Sequence, residues 1–87
     1  MKIYFDKQSF RKYQKLINKN HTLKAKIKKS LQLLEKDPTH PSLRLHKLAG
    51  KRKTAWSISV TMDLRIIFQF KGKDIFIIDI GKHDEVY

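Results

Sequence analysis

Apolar residues in the second quarter of the chain recur with a helical period. Leu23, Ile27, Leu31 and Leu34 fall at i, i+4, i+8 and i+11 and so share one stripe, while Lys24, Lys26, Lys28 and Lys29 lie mostly off it. The spacing predicts an amphipathic helix with Thr22 as candidate N-cap. It should stop at Asp37-Pro38, because the residue before a proline avoids helical angles. A shorter stripe of Phe10, Tyr13 and Ile17 predicts an earlier helix, capped by Asp6 and running to about Lys19, with Asn20-His21-Thr22 as the break. Ahead of both, Lys2 to Phe5 alternates weakly and predicts a short first strand.

From Leu43 the period changes to two. Leu43 and Leu45 point one way, Arg44 and His46 the other, and this predicts a second strand. Ala49-Gly50 followed by Lys51-Arg52-Lys53 reads as a basic turn. Trp56, Ile58 and Val60 then alternate with Ser57 and Ser59, and Leu64, Ile66, Phe68 and Phe70 alternate with Arg65, Ile67 and Gln69. Thr61-Met62-Asp63 and Lys71-Gly72-Lys73-Asp74 supply the hairpin connections. The run Ile75 to Ile80 is nearly all apolar, as suits a strand covered on both faces. A strand, a two-helix hairpin and three or four further strands predict an α+β fold. The helices pack on one face of a mostly antiparallel sheet of four to five strands.

Composition narrows the class. Eighty-seven residues, 40% of them apolar, are enough for one core and predict a single domain over residues 1–87. No apolar run approaches the roughly 20 residues of a membrane span, and MKIYFDKQSF does not read as a signal peptide. The lack of cysteine excludes disulfides and thiolate metal sites, and fits a cytoplasmic location.

Charge changes the picture more. The chain carries a net +12, and it is lopsided: residues 1–53 hold 16 basic and 3 acidic side chains, residues 54–87 hold 4 and 5. Such a field attracts polyanions and makes nucleic-acid affinity salt-dependent. An acidic partner would relieve the self-repulsion.

If the helices cover one sheet face, the other exposes Arg44, His46, Ser57, Ser59, Arg65 and Gln69, and the closing residues add His83, Asp84, Glu85 and Tyr87. Cleavage of RNA through its own 2′-hydroxyl needs a base, an acid and a cation on the phosphate. Histidine serves either proton role near neutral pH, arginine offers a fixed fork of donors, and tyrosine stacks on an unpaired base. Taken singly, each residue reads blandly: His46 as a surface histidine, His21 and His40 as loop residues, Trp56 as core, Arg65 as partner to Asp63 or Asp79. The chemistry rests on their convergence. No HExxH, CxxC or phosphate-binding glycine loop competes. Adjacent residues such as His83-Asp84-Glu85 rarely chelate one ion, so no metal site is expected.

At His46-Lys47-Leu48-Ala49-Gly50, Leu64-Arg65-Ile66-Ile67-Phe68 and Gly81-Lys82-His83-Asp84-Glu85-Val86-Tyr87 the chain resembles the RelE/ParE toxin superfamily, most closely its YafQ-like mRNA interferases. The resemblance implies a RelE-like fold and a type II toxin held inactive by an acidic antitoxin. It also implies cleavage of mRNA in the decoding site of the small ribosomal subunit, without metal or cofactor. Residue by residue, it makes His46, Asp63 and His83 the proton-transfer candidates, with His83 as acid and His46 or Asp63 as base, or the reverse order. Arg65 meets the scissile phosphate, and Tyr87 stacks or assists proton transfer. Arg44, Lys51, Arg52, Lys53 and the helix lysines would meet RNA. Ser59 departs from the pattern, since YafQ-like enzymes often carry a histidine there. Two rival readings share the fold: a ParE-like poison of DNA gyrase, and a non-catalytic binding module for an acidic antitoxin.

Overall fold

Asp6 ends one element and begins the next. The structure, a computed structural model, describes residues 1–82 and 86, with only the backbone of Lys51. Strand β1 spans Ile3–Phe5 and helix α1 spans Lys7–Ile17. Between them the Asp6 carboxylate accepts a hydrogen bond from the Ser9 amide at 2.7 Å, satisfying one of the N–H groups a helix start leaves unpaired. The buried Ser9 hydroxyl donates to the Ile77 carbonyl at 2.9 Å and fixes α1 to the sheet.

Helix α2 spans His21–Lys36. Two boundaries differ from the sequence reading. α1 stops at Ile17 rather than near Lys19, and Asn20 rather than Thr22 caps α2. The reason is a reversal at Lys19, whose φ of 60° is left-handed, so the chain re-enters a helix at once. Asn20 then stands at the open end and accepts from the Leu23 amide at 3.1 Å. His21, read as a loop residue, opens the helix. Ile27 and Leu34 are fully buried and Leu23 and Leu31 pack beside them, so the stripe faces the sheet as its spacing predicts. Each such side chain contributes about 1.5–3 kcal/mol. Among the described residues no helix is long and apolar enough to cross a membrane.

The sheet has the order β1-β5-β4-β3-β2. Its later strands are β2 His46–Lys47, β3 Trp56–Ser59, β4 Leu64–Lys71 and β5 Asp74–Lys82. β1 runs parallel to β5 and the other pairings are antiparallel, in line with the expected α+β layering. Gly72, with φ 60°, turns the β4–β5 hairpin.

The expected strand from Leu43 is shorter than its alternation suggests. Pro41–Leu43 forms a 3₁₀ turn, and Arg44 follows in the left-handed region at φ 50° and ψ 47°. Pro41 favours the first position of a helical turn, and His40 Nδ1 caps it by accepting from the Ser42 amide at 3.2 Å. Pairing therefore begins at His46, opposite Ser57.

Ile58, Ile66, Phe68, Ile75, Ile77 and Ile80 form the core under the helices. The opposite face is not polar throughout, as expected, but holds a second apolar cluster of Ala55, Ile67 and Val86 with Leu48 and Ile78 beside it. Ile67 joins it because it lies between the inward-facing Ile66 and Phe68 and side chains alternate along β4. The β4–β5 ladder is irregular beside it: Ile67 pairs with Asp79 and Phe68 with Ile77, which leaves Ile78 without an opposite number. Ser57, expected to be exposed on this face, is buried.

Candidate active site

Register sets the outer face in rows. His46 lies opposite Ser57, which lies opposite Ile67; in the next row Ser59 faces Arg65 and Arg65 faces Gly81. With neighbouring strands about 4.8 Å apart, these rows bring side chains from β2, β3 and β4 onto one small surface. His46 is exposed, and its Nδ1 lies 3.3 Å from the Arg44 carbonyl oxygen. A ring that donates from Nδ1 there carries its basic lone pair on Nε2.

Arg65 is half-buried and donates from Nη1 to the Thr61 carbonyl at 2.9 Å. That bond aims the guanidinium along the β3–β4 turn. Neither Asp63 nor Asp79 pairs with it, and among the described residues no carboxylate does. Arg65 lines a cleft of about 300 Å³ with Ser42, Arg44, Ser59, Thr61 and Met62. Two guanidiniums and three hydroxyls in one cleft suit an anion with several oxygens.

Asp63 lies elsewhere. It is exposed and faces a groove of about 600 Å³ on the α2 side, with Lys26 and Lys29 on its wall. Chain neighbours only two residues apart, Asp63 and Arg65 thus open onto adjoining clefts.

The basic turn is a 3₁₀ turn over Gly50–Arg52, entered at Gly50 with φ 67°. Lys53 is exposed on it. Arg52, read as an RNA-binding side chain, is bound within the protein. Its Nη2 donates to Asp79 Oδ2 at 3.0 Å, while Lys12 Nζ from α1 donates to Oδ1 at 2.6 Å. Asp79 is 7% exposed and also accepts from the Ile80 amide. One carboxylate therefore ties α1, β5 and the basic turn together. The sign of this in the sequence was a single charge inside the apolar run Ile75 to Ile80.

Of the other residues singled out in the sequence, His83 and Tyr87 lie outside the described residues, as does the side chain of Lys51. Their described neighbours are placed: Lys82 pairs with Leu64, and Val86 is buried against Ala55 and Ile67 on the outer face.

A family model described as "Bacterial toxin of type II toxin-antitoxin system, YafQ" matches residues 1–87. The chain belongs to the YafQ family. Among solved structures, this YafQ-family toxin is similar to the E. coli DinJ–YafQ toxin–antitoxin complex, at 24% identity over 98% of this chain and 94% of that one, with a TM-score of 0.79. E. coli YafQ alone matches at 23% identity over 98% and 96%, with a TM-score of 0.80. A metal-bound toxin from Helicobacter pylori matches at 23% over 100% and 99%, with a TM-score of 0.82. No curated protein matches the chain. At these identities the likeness shows a shared fold of two helices on a five-stranded mixed sheet. Within the YafQ-family fold, Ser59 on β3 lines the same cleft as Arg44 and Arg65.

Proposed function

We propose that this YafQ-family toxin, one domain over residues 1–87, is an endoribonuclease that cuts mRNA in the decoding site of the small ribosomal subunit. A single observation carries the reading: Arg65, with no carboxylate partner among the described residues, shares the outer sheet face with the exposed His46. A guanidinium without a carboxylate partner and an imidazole on one sheet face supply the cation and one of the two proton-transfer groups that phosphodiester cleavage uses.

The step balances without a metal or cofactor. A base takes the 2′-hydroxyl proton, and the 2′-oxygen attacks the adjacent phosphorus. The bond from phosphorus to the 5′-oxygen breaks, an acid protonates that oxygen, and a 2′,3′-cyclic phosphate and a 5′-hydroxyl result. Arg65 holds the non-bridging oxygens as charge grows on them. His46 is the favoured base, because Asp63 faces the α2-side groove. His83 acts as acid, or the two exchange roles, and Tyr87 stacks on a base or assists proton transfer. Lys51 and Lys53 face ribosomal RNA, and Arg52 adds its charge while paired to Asp79. The net +12 supports an acidic antitoxin as the inhibitory partner, as in the DinJ–YafQ complex. The cytoplasm is the place of action.

Primer extension on an mRNA translated in a purified system, with and without the toxin, tests this. The expected result is ribosome-dependent cuts that Arg65→Ala reduces about 10²–10³-fold, with the folded state intact by circular dichroism. Full cutting by both Arg65→Ala and His83→Ala removes this active site, and inhibition of gyrase supercoiling with no RNA cuts replaces the reading by the ParE-like one.

A further inference from the structure

The cleft that holds Arg65 does not end at the sheet. It shares Ser42, Ser59, Val60, Thr61 and Met62 with the groove on the α2 side. The two are therefore one trough bent around the β3–β4 turn. Arg44 and Arg65 stand at its outer-face end, and Lys26 and Lys29 at its helix end. Asp63 is the one carboxylate on the described walls of either cleft, against four cations.

We infer that this trough seats the phosphodiester backbone of the substrate RNA next to the cut, carrying the strand from Arg65 past Arg44 to Lys26 and Lys29. The inference rests on the nuclease reading and adds to it the path of the flanking nucleotides. Cations spaced along a continuous channel suit a chain of phosphates better than one isolated anion. Arg44 and Arg65 have no carboxylate partner among the described residues, so their charge is not already spent within the protein. Thr61 Oγ1 accepts from the Leu64 amide at 3.0 Å, which leaves its own O–H to donate to a phosphate oxygen. Met62, 92% exposed on the trough wall, offers a polarisable thioether to a base ring. Arg44 holds the left-handed conformation without being glycine, and so keeps a long cationic side chain where the backbone alone would favour none.

Fluorescence anisotropy of the full chain with a short single-stranded 2′-O-methyl oligonucleotide, which cannot be cut, tests the trough across a salt series. Each phosphate contact on a single strand contributes about 0.7 to the slope of log K against log salt. The variant Lys26→Gln/Lys29→Gln should flatten that slope by about 1.4, and Arg44→Ala by about 0.7. The control is Lys15→Gln/Lys24→Gln, on the separate groove between α1 and α2; it should change the slope far less. Equal changes in trough and control variants overturn the inference in favour of a diffuse field. Unchanged RNA binding with weakened binding of an acidic antitoxin overturns it in favour of a protein seat. The cutting assay is read separately: if Arg65→Ala stops cutting while the trough variants bind RNA normally, the trough falls and the nuclease stands. If Arg65→Ala cuts fully but the trough slopes flatten, the trough stands as an RNA seat and the catalytic role of Arg65 falls.

Discussion

The two faces of β4 obey opposite rules. Towards the helices, Ile66 and Phe68 are fully buried in a continuous apolar core. On the other side of the same strand, Arg65 and Gln69 are half-exposed around one buried residue, Ile67. Neighbouring residues thus serve different ends, because side chains alternate across a strand. Stability is concentrated on the inner face. The outer face carries a smaller apolar cluster of Ala55, Ile67, Leu48 and Ile78, against which Val86 is buried.

Substitutions on the two faces should separate accordingly. Phe68→Ala carries the largest stability effect: a fully buried ring leaves a cavity costing about 3–5 kcal/mol. Thermal unfolding should show Tm lowered by at least about 12 °C, and a loss of activity that tracks unfolding alone. Near-native stability would mean the inner core is not where the fold is held. Asp79→Asn comes next, since it removes the charge shared by Lys12 and Arg52. Because both cations are about 40% exposed, the expected loss is only about 1–2 kcal/mol, measured by urea unfolding. A cost as large as that of Phe68→Ala would make this ion cluster, rather than the apolar core, the main tie between α1 and β5.

Arg44→Gly should act in the opposite direction. An L-residue in the left-handed region costs roughly 1–2 kcal/mol, partly offset by the extra freedom glycine gives the unfolded chain. The net expectation is a gain below about 1 kcal/mol in urea unfolding, combined with weaker RNA binding. A variant that is both less stable and fully competent in binding would remove Arg44 from the functional face.

What the sequence revealed depended on whether the information was periodic. The stripe Leu23, Ile27, Leu31, Leu34 and the alternation from Trp56 to Phe70 each repeat, so both helix–sheet layering and the outward direction of Arg65 were legible. Residues 41–44 were not. A proline-led turn and one left-handed arginine leave no period, and Leu43 and Leu45 imitate a strand that starts only at His46. The outer apolar cluster was hidden for another reason: Ala55, Ile67 and Val86 are far apart in the chain and meet only in the folded sheet. Asp79 stood out as a charge among isoleucines, but its partners Lys12 and Arg52 are 67 and 27 residues away, and Arg65 looked equally suitable.

The pairing of β1 with β5 constrains how the molecule is made. Ile3 finds Ile75 and Phe5 finds Ile77, contacts that span nearly the whole chain and close its largest loop. During synthesis the helical hairpin and the β3–β4 hairpin can assemble from nearby residues, but the first three-residue strand waits until the last long one has emerged. The edge of β4 therefore stays open to any other strand until β5 has been made. Until then β1, made first, also has no strand to pair with and is the segment open to mispairing for longest.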